Sequence, residues 1–194
     1  MRAGKMNRGE SYLLSCEKDL CGIVEQLFVT GKNKDELTRL LVINTPDCLD
    51  NTTNAAYLEK IKEMTPKKMR DEKYICFEPR VTMAENEEIK SRLIISFDKF
   101  YPNPTNPYYM DADIVIDILC HHETWDIGNY RLRPIKIAGY VNNILNKTRL
   151  SGLGTLAFNG MSELILNENL SGYTLFYSAT HGADDVLEDD EEEA

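Results

Sequence analysis

Four consecutive residues, Cys120-His121-His122-Glu123, hold a thiol, two of the chain's three histidines and a carboxylate. These are ligand types that zinc and iron take, so the cluster raises metal-dependent hydrolysis as a chemistry to weigh. The spacing argues against it. The four residues end an alternating apolar run that reads as a strand. On a strand, Cys120 and His122 face one way while His121 and Glu123 face the other. Such neighbours do not converge on one ion, and His181 is the only histidine left. A thiol beside a histidine in sequence is also a poor nucleophile pair, because the base must reach the sulfur from across a site. Cys120 falls on the apolar side, where a thiol behaves as a small hydrophobe.

Two other patterns invite chemistry. Asp111, Asp113 and Asp117 share one strand face, and hard divalent cations take such oxygens. Their simpler role is the polar half of an alternating strand. Ser151-Gly152-Leu153-Gly154 is glycine-rich but precedes a strand. Phosphate-cradling loops precede a helix, whose N-terminus supplies the complementary charge. This one is therefore expected to be a turn. No catalytic residue, cofactor site or metal site is assigned. Trp125, Arg131 and Arg133 differ in kind, since Trp and Arg bury large area while keeping a polar end and are favoured where proteins meet. Together with Tyr108, Tyr109 and His121 they form the expected interface set.

The elements that position these residues can be read from periodicity. Tyr12–Val29 has Leu13, Leu20, Val24, Leu27 and Phe28 at helical spacing, with Gly31 as its stop. Asn33 is placed to cap a short helix through Leu41, with Asp35 and Glu36 in its first turn. A third helix is expected over Ala55–Met64, ended by Thr65-Pro66. The lysine-rich stretch Lys60–Lys73 reads as a solvated face or loose connection. From Tyr74 the period becomes two. Strands are expected at Tyr74–Met83, Ser91–Phe100, Asp113–Cys120, Thr155–Phe158, Leu164–Leu166 and Tyr173–Tyr177. Pro79 marks the first as an edge or bulge. Tyr101–Tyr109 carries three prolines and reads as a stiff extended loop. Pro134 opens a helix striped by Ile137, Ala138, Val141, Ile144 and Leu145. Gly139 inside it costs about 1 kcal/mol relative to alanine, which suggests close packing there. Asn159-Gly160 is a turn signal.

The fold class expected is α+β: N-terminal helices, then a mostly antiparallel sheet of about six strands with one packed helix. The organisation expected is a helical region over 1–73, an α+β core domain over 74–183 and a disordered acidic tail over 184–194. The 194 residues carry a net charge of −10, and eight acidic side chains of that tail account for most of it. The body is thus nearly neutral and lacks the basic stripe of a nucleic-acid binder, so sequence-specific nucleic-acid binding is not expected. No apolar run reaches the roughly 18–20 residues that span a bilayer, so no membrane association is expected. Met1–Glu10 is polar and basic, without the apolar segment of a secretory signal. Five unpatterned cysteines suit a reducing compartment better than a disulfide framework.

The block DIVIDILCHHETW, then RLRPIKIAGYVNNIL, then LSGLGTLAF and finally GYTLFY resembles the C-terminal half of tailed-bacteriophage neck proteins, especially the tail-terminator and head–tail joining group. The resemblance covers roughly residues 89–177 and is carried by the ensemble of segments. It implies a structural virion protein that forms a closed homo-oligomeric ring in the neck, beside portal or tail proteins. It implies location in the virion, with assembly in the host cytoplasm, and neither catalysis nor a cofactor. The acidic tail and the Tyr101–Tyr109 loop have no counterpart in it. Two rival readings remain: a metal-dependent hydrolase using His121 and His122, and an adaptor whose acidic tail docks on a basic partner.

Overall fold

The structure, a computed structural model, describes residues 8–50, 55–78, 88–106, 109–129, 131–150 and 152–181. Helix α1 (Arg8–Glu25) runs into a π-helical turn (Gln26–Thr30). It is followed by α2 (Lys34–Val42), α3 (Ala55–Lys62) and α4 (Pro66–Asp71). Strands β1 (Ile75–Cys76), β2 (Ser91–Pro102) and β3 (Met110–His121) come next, then a 3-10 turn (His122–Thr124) and α5 (Arg133–Leu145). The chain ends its described part with β4 (Arg149–Leu150), β5 (Gly154–Thr155), β6 (Ala157–Ile165) and β7 (Leu170–His181). The class is α+β, as expected. One sheet has the order β1-β2-β3-β7-β6, and β4 and β5 form a small second one. β1 and β2 are parallel and the other pairings are antiparallel.

The central strand shows why these residues fold this way. Ala112, Ile114, Ile116, Ile118 and Cys120 alternate along β3 onto one face, and all five are buried. Across from them lie Leu93 and Ile95 on β2, and Leu175, Tyr177 and Ala179 on β7. Helix α5 covers this face with the stripe read from the sequence: Ile137, Ala138, Val141, Ile144 and Leu145 are all buried. Ile23, Val24, Leu27 and Phe28 from the first helix and its π turn, and Leu37, Leu40 and Leu41 from α2, join the same apolar cluster. Helices and sheet therefore share one core. The Tyr177 hydroxyl donates to Asn142 Oδ1 at 3.2 Å, pinning α5 to β7, and burial pushes that phenol's pKa up.

Several local expectations are corrected. Asn33 sits at φ 67° and its side chain makes no cap bond. Thr65 instead caps α4, accepting from the Lys68 amide, and Pro66 opens that helix. The lysine-rich stretch is thus partly helical, anchored by buried Met69. Gly31 is not a left-handed stop, since its φ is −66°. Glycine is needed there because a Cβ would lie 2.6 Å from Ile144 Cγ2, where the first helical segment abuts α5. Gly139 has the opposite surprise: a Cβ there would meet open space.

Among the strands, Asn159-Gly160 is a bulge inside β6, where the register steps from Phe158 opposite Tyr177 to Gly160 opposite Phe176. The long partner β7 keeps offering hydrogen bonds, so the extra residue is absorbed and the two expected strands become one. The first expected strand shrinks to Ile75–Cys76, and residues 79–87, with Pro79, lie outside the described residues. The proline-rich loop is shorter than expected because Tyr101 and Pro102 belong to β2. Asn103 ties its start, accepting from the Thr105 and Asn106 amides and donating to the Asp111 carboxylate. Ser171–Gly172 lies within β7, and the hairpin turn is closed by Asn167, which accepts from the Asn169 and Leu170 amides. The tail over 184–194 lies outside the described residues.

Gly172 on β7 is packed so closely on β3 that a Cβ would overlap the Ile118 carbonyl oxygen. Gly172→Ala is expected to lower stability by about 3 kcal/mol through forced displacement of two core strands. Gly139→Ala is expected to raise it by about 0.5–1 kcal/mol, by removing helix-interior backbone freedom where space is open. Urea unfolding of the two variants beside wild type checks both signs.

Candidate functional site

The chemistry-bearing residues gather where β3 hands over to α5. β3 pairs with β7 until His121 meets Leu170, and β7 starts there. With its partner exhausted, the chain turns. The His122 amide donates to Asn169 O at 2.9 Å, and Trp125 N donates to His122 O at 3.3 Å. Thr124 Oγ1 donates to His121 O at 2.8 Å, and the Glu123 amide donates to His121 Nδ1 at 3.3 Å. A capped 3-10 turn thus replaces the strand alternation assumed from sequence. Its consequence is chemical: ligand atoms of His121, His122 and Glu123 lie within 4.8 Å of one another. The two imidazole rings lie with centroids 4.5 Å apart and planes tilted by 33°. His121 is only 5% exposed, whereas His122 and Glu123 are exposed.

Cys120 stays apart from this group. It is fully buried in the core, and burial pushes its thiol up to about 11. The thiolate fraction near neutrality is then negligible, and the side chain acts as a small hydrophobe. All five cysteines are thiols. Asp111, Asp113 and Asp117 are not drawn into a three-ligand cluster among the described residues. Asp111 accepts from Thr180 Oγ1 at 3.0 Å and from Asn103, and Asp117 accepts from Thr174 Oγ1 at 2.6 Å. Both are the polar half of the strand, tied to the hydroxyls of β7. The glycine-rich segment at Gly152–Gly154 is a turn leading into β5, with both glycines at positive φ.

The interface expectation for Arg133 is overturned. Its side chain is 0% exposed and is consumed inside the chain. Nε donates to Thr124 O at 2.6 Å, Nη1 to Leu40 O and Ile43 O at 2.6 and 2.7 Å, and Nη2 to Thr45 O at 3.0 Å. Leu40 lies in the last turn of α2, whose carbonyls lack intrahelical partners and carry partial negative charge. Arg133 is thus the capping cation of a helix more than 80 residues away in sequence. Burial pulls its pKa down, opposed by the neighbouring Cys48 and Cys120. Arg131 braces its own loop through the Gly128 and Ile127 carbonyls, with Asp50 Oδ1 at 3.4 Å. Trp125 is half-buried against the core, and its carbonyl accepts from Arg133 N at 2.7 Å. His121 offers little surface, Tyr109 is half-buried and Tyr108 lies outside the described residues. Sequence inspection missed Arg92, a charged residue near the start of β2. It is 1% exposed and its Nη2 meets Glu88 Oε2 at 2.5 Å.

Two outcomes follow from this corner. Arg133→Met removes a charged donor from four carbonyls, three of them in buried bonds, and is expected to cost at least about 3 kcal/mol in urea unfolding. Arg133→Lys, with one rotatable head instead of a planar fork, is expected to recover only part of it. His121 has its imidazole pKa lowered from the ordinary 6.5, first by burial, then by His122 and Arg92, with Glu123 opposing. The native state therefore binds this proton more weakly than the unfolded chain. Stability from this group is full above pH 6.5 and is lost as pH falls through 6.5 toward the lower folded value. Asp117, its pKa raised by burial, acts with the opposite sign. The stability difference between wild type and His121→Gln is expected to shrink between pH 7.5 and pH 5 (about the window of imidazole titration), measured by denaturant midpoints.

Among curated proteins, none matches the sequence. A family model described as YomW matches residues 34–179. That span runs from α2 through β7 and so takes in the α2 carbonyls, the Arg133 side chain that caps them and the His121–Glu123 turn. The chain belongs to the YomW family, a phage-derived family.

Proposed function

We propose that this phage-family protein is a structural virion component that forms a homo-oligomeric ring in the head–tail neck, in a head–tail joining or tail-terminator role. It would be built in the host cytoplasm beside portal or tail proteins and would need no cofactor. The observation that carries the reading is the edge of the main sheet. Among the described residues, β6 pairs only with β7, so one row of its backbone groups faces outward. Met161 and Ile165 on that strand are 45% and 70% exposed, and Leu166 beyond it is 47% exposed. Soluble proteins usually blunt such an edge, and a partner strand is its natural occupant. The opposite edge, β1, is a different and parallel-paired strand. Two unlike edges on one sheet favour head-to-tail contacts, which close into rings when the rotation permits.

The acidic tail and the adjacent histidines are not required by this reading. Native mass spectrometry of the protein with its neck partners, or of necks released from virions, is expected to show a closed ring of identical subunits. Ile165→Lys is expected to reduce that ring to monomers while leaving the fold intact by circular dichroism. A protein absent from virions and monomeric even beside neck partners would overturn the proposal.

A further inference from the structure

We propose that the turn His121–Glu123 is a binding site for one divalent transition-metal ion of the zinc class. The warrant is geometric. Two imidazoles and a carboxylate from three consecutive residues have ligand atoms within 4.8 Å of one another. Zinc bonds of about 2.0–2.1 Å in tetrahedral geometry place ligand atoms about 3.4 Å apart. The closing movement needed is small and falls on His122 and Glu123, whose side chains are exposed. The backbone that carries them is held by the Asn169 carbonyl and by the Thr124 hydroxyl.

His121 supplies the fixed ligand. It is buried, and its Nδ1 accepts a long 3.3 Å bond from the Glu123 amide. A lone pair therefore already faces the turn, and a metal would displace only a weak bond. The nearby Arg92 guanidinium would repel a cation, but Glu88 Oε2 stands against it at 2.5 Å. The nitrogen-rich donor set favours zinc, cobalt or nickel over calcium or magnesium, which take oxygen. Three protein ligands leave a position for water or for a group from a neighbouring protein. The site stands independently of ring formation.

The test uses the full chain, stripped with chelator, and the metals alone as probes. Calorimetric titration with Zn²⁺ is expected to give one ion per chain, and Co²⁺ is expected to give the intense visible bands of a four-coordinate site. His122→Ala and Glu123→Gln change exposed side chains, and circular dichroism confirms their folding. Each is expected to weaken zinc binding by more than about tenfold, since even changes outside the ligand shell have effects of that size. His122→Ala is also expected to abolish the cobalt bands. Zinc binding that survives both substitutions unchanged would place the ion elsewhere, for instance on the acidic tail, and would overturn the proposal. So would an affinity weaker than about 1 mM, which corresponds to binding of only about 4 kcal/mol.

Discussion

The corner of the molecule depends on a single guanidinium. Arg133 joins the end of α2, the segment after it and the turn after β3, through carbonyls of Leu40, Ile43, Thr45 and Thr124. Leu40 O, Ile43 O and Thr124 O would otherwise lose this buried donor, at a cost of about 1–3 kcal/mol apiece, while Thr45 O would keep only its 3.3 Å bond from the Cys48 amide. Arginine suits the position because its planar fork presents five donors in fixed directions. Its place beside Pro134 at the start of α5 also sets how that helix enters the core. Through this one side chain, the helical layer and the sheet are held in a common frame.

That frame explains why the two sides of the sheet differ. The inner side of β3 is a row of small and β-branched residues beneath α5, where a buried polar group generally needs a partner. Tyr177 obeys this rule by meeting Asn142. The outer side carries aspartates that accept from hydroxyls of β7, so the carboxylates are placed by strand register and need no ion. Gly172 lets β7 approach β3 closely, and the bulge at Gly160 lets β6 stay paired with β7 on both sides of an extra residue. Among the described residues the sheet ends at β6, which pairs only with β7.

The turn after β3 shows how a small change of backbone alters chemistry. Had the strand continued, His121 and His122 would point to opposite faces. The strand ends because β7 begins at Leu170 and offers no further partners. The chain then satisfies its own backbone groups with a 3-10 turn, and three potential ligands converge.

Much of the architecture was legible in the residues themselves. Period-two runs located β2, β3 and β7, and the apolar stripe with Pro134 located α5, because burial of one face is written directly into side-chain spacing. The readings that failed share a cause. Arg133 looked like a surface anchor because an arginine in a loop carries no sign of carbonyls contributed by a helix far away in sequence. Gly31 and Gly139 could not be told apart, since close approach depends on what lies opposite. Asn159-Gly160 has the composition of a turn, and only a long neighbouring strand makes it a bulge. Sequence alone determined the fold class, the core-facing positions and the polar outer row of β3, which follow from local periodicity. Tertiary structure decided which polar groups meet, where β3 stops and hence whether His121, His122 and Glu123 share a site, because those outcomes depend on partners contributed by distant parts of the chain.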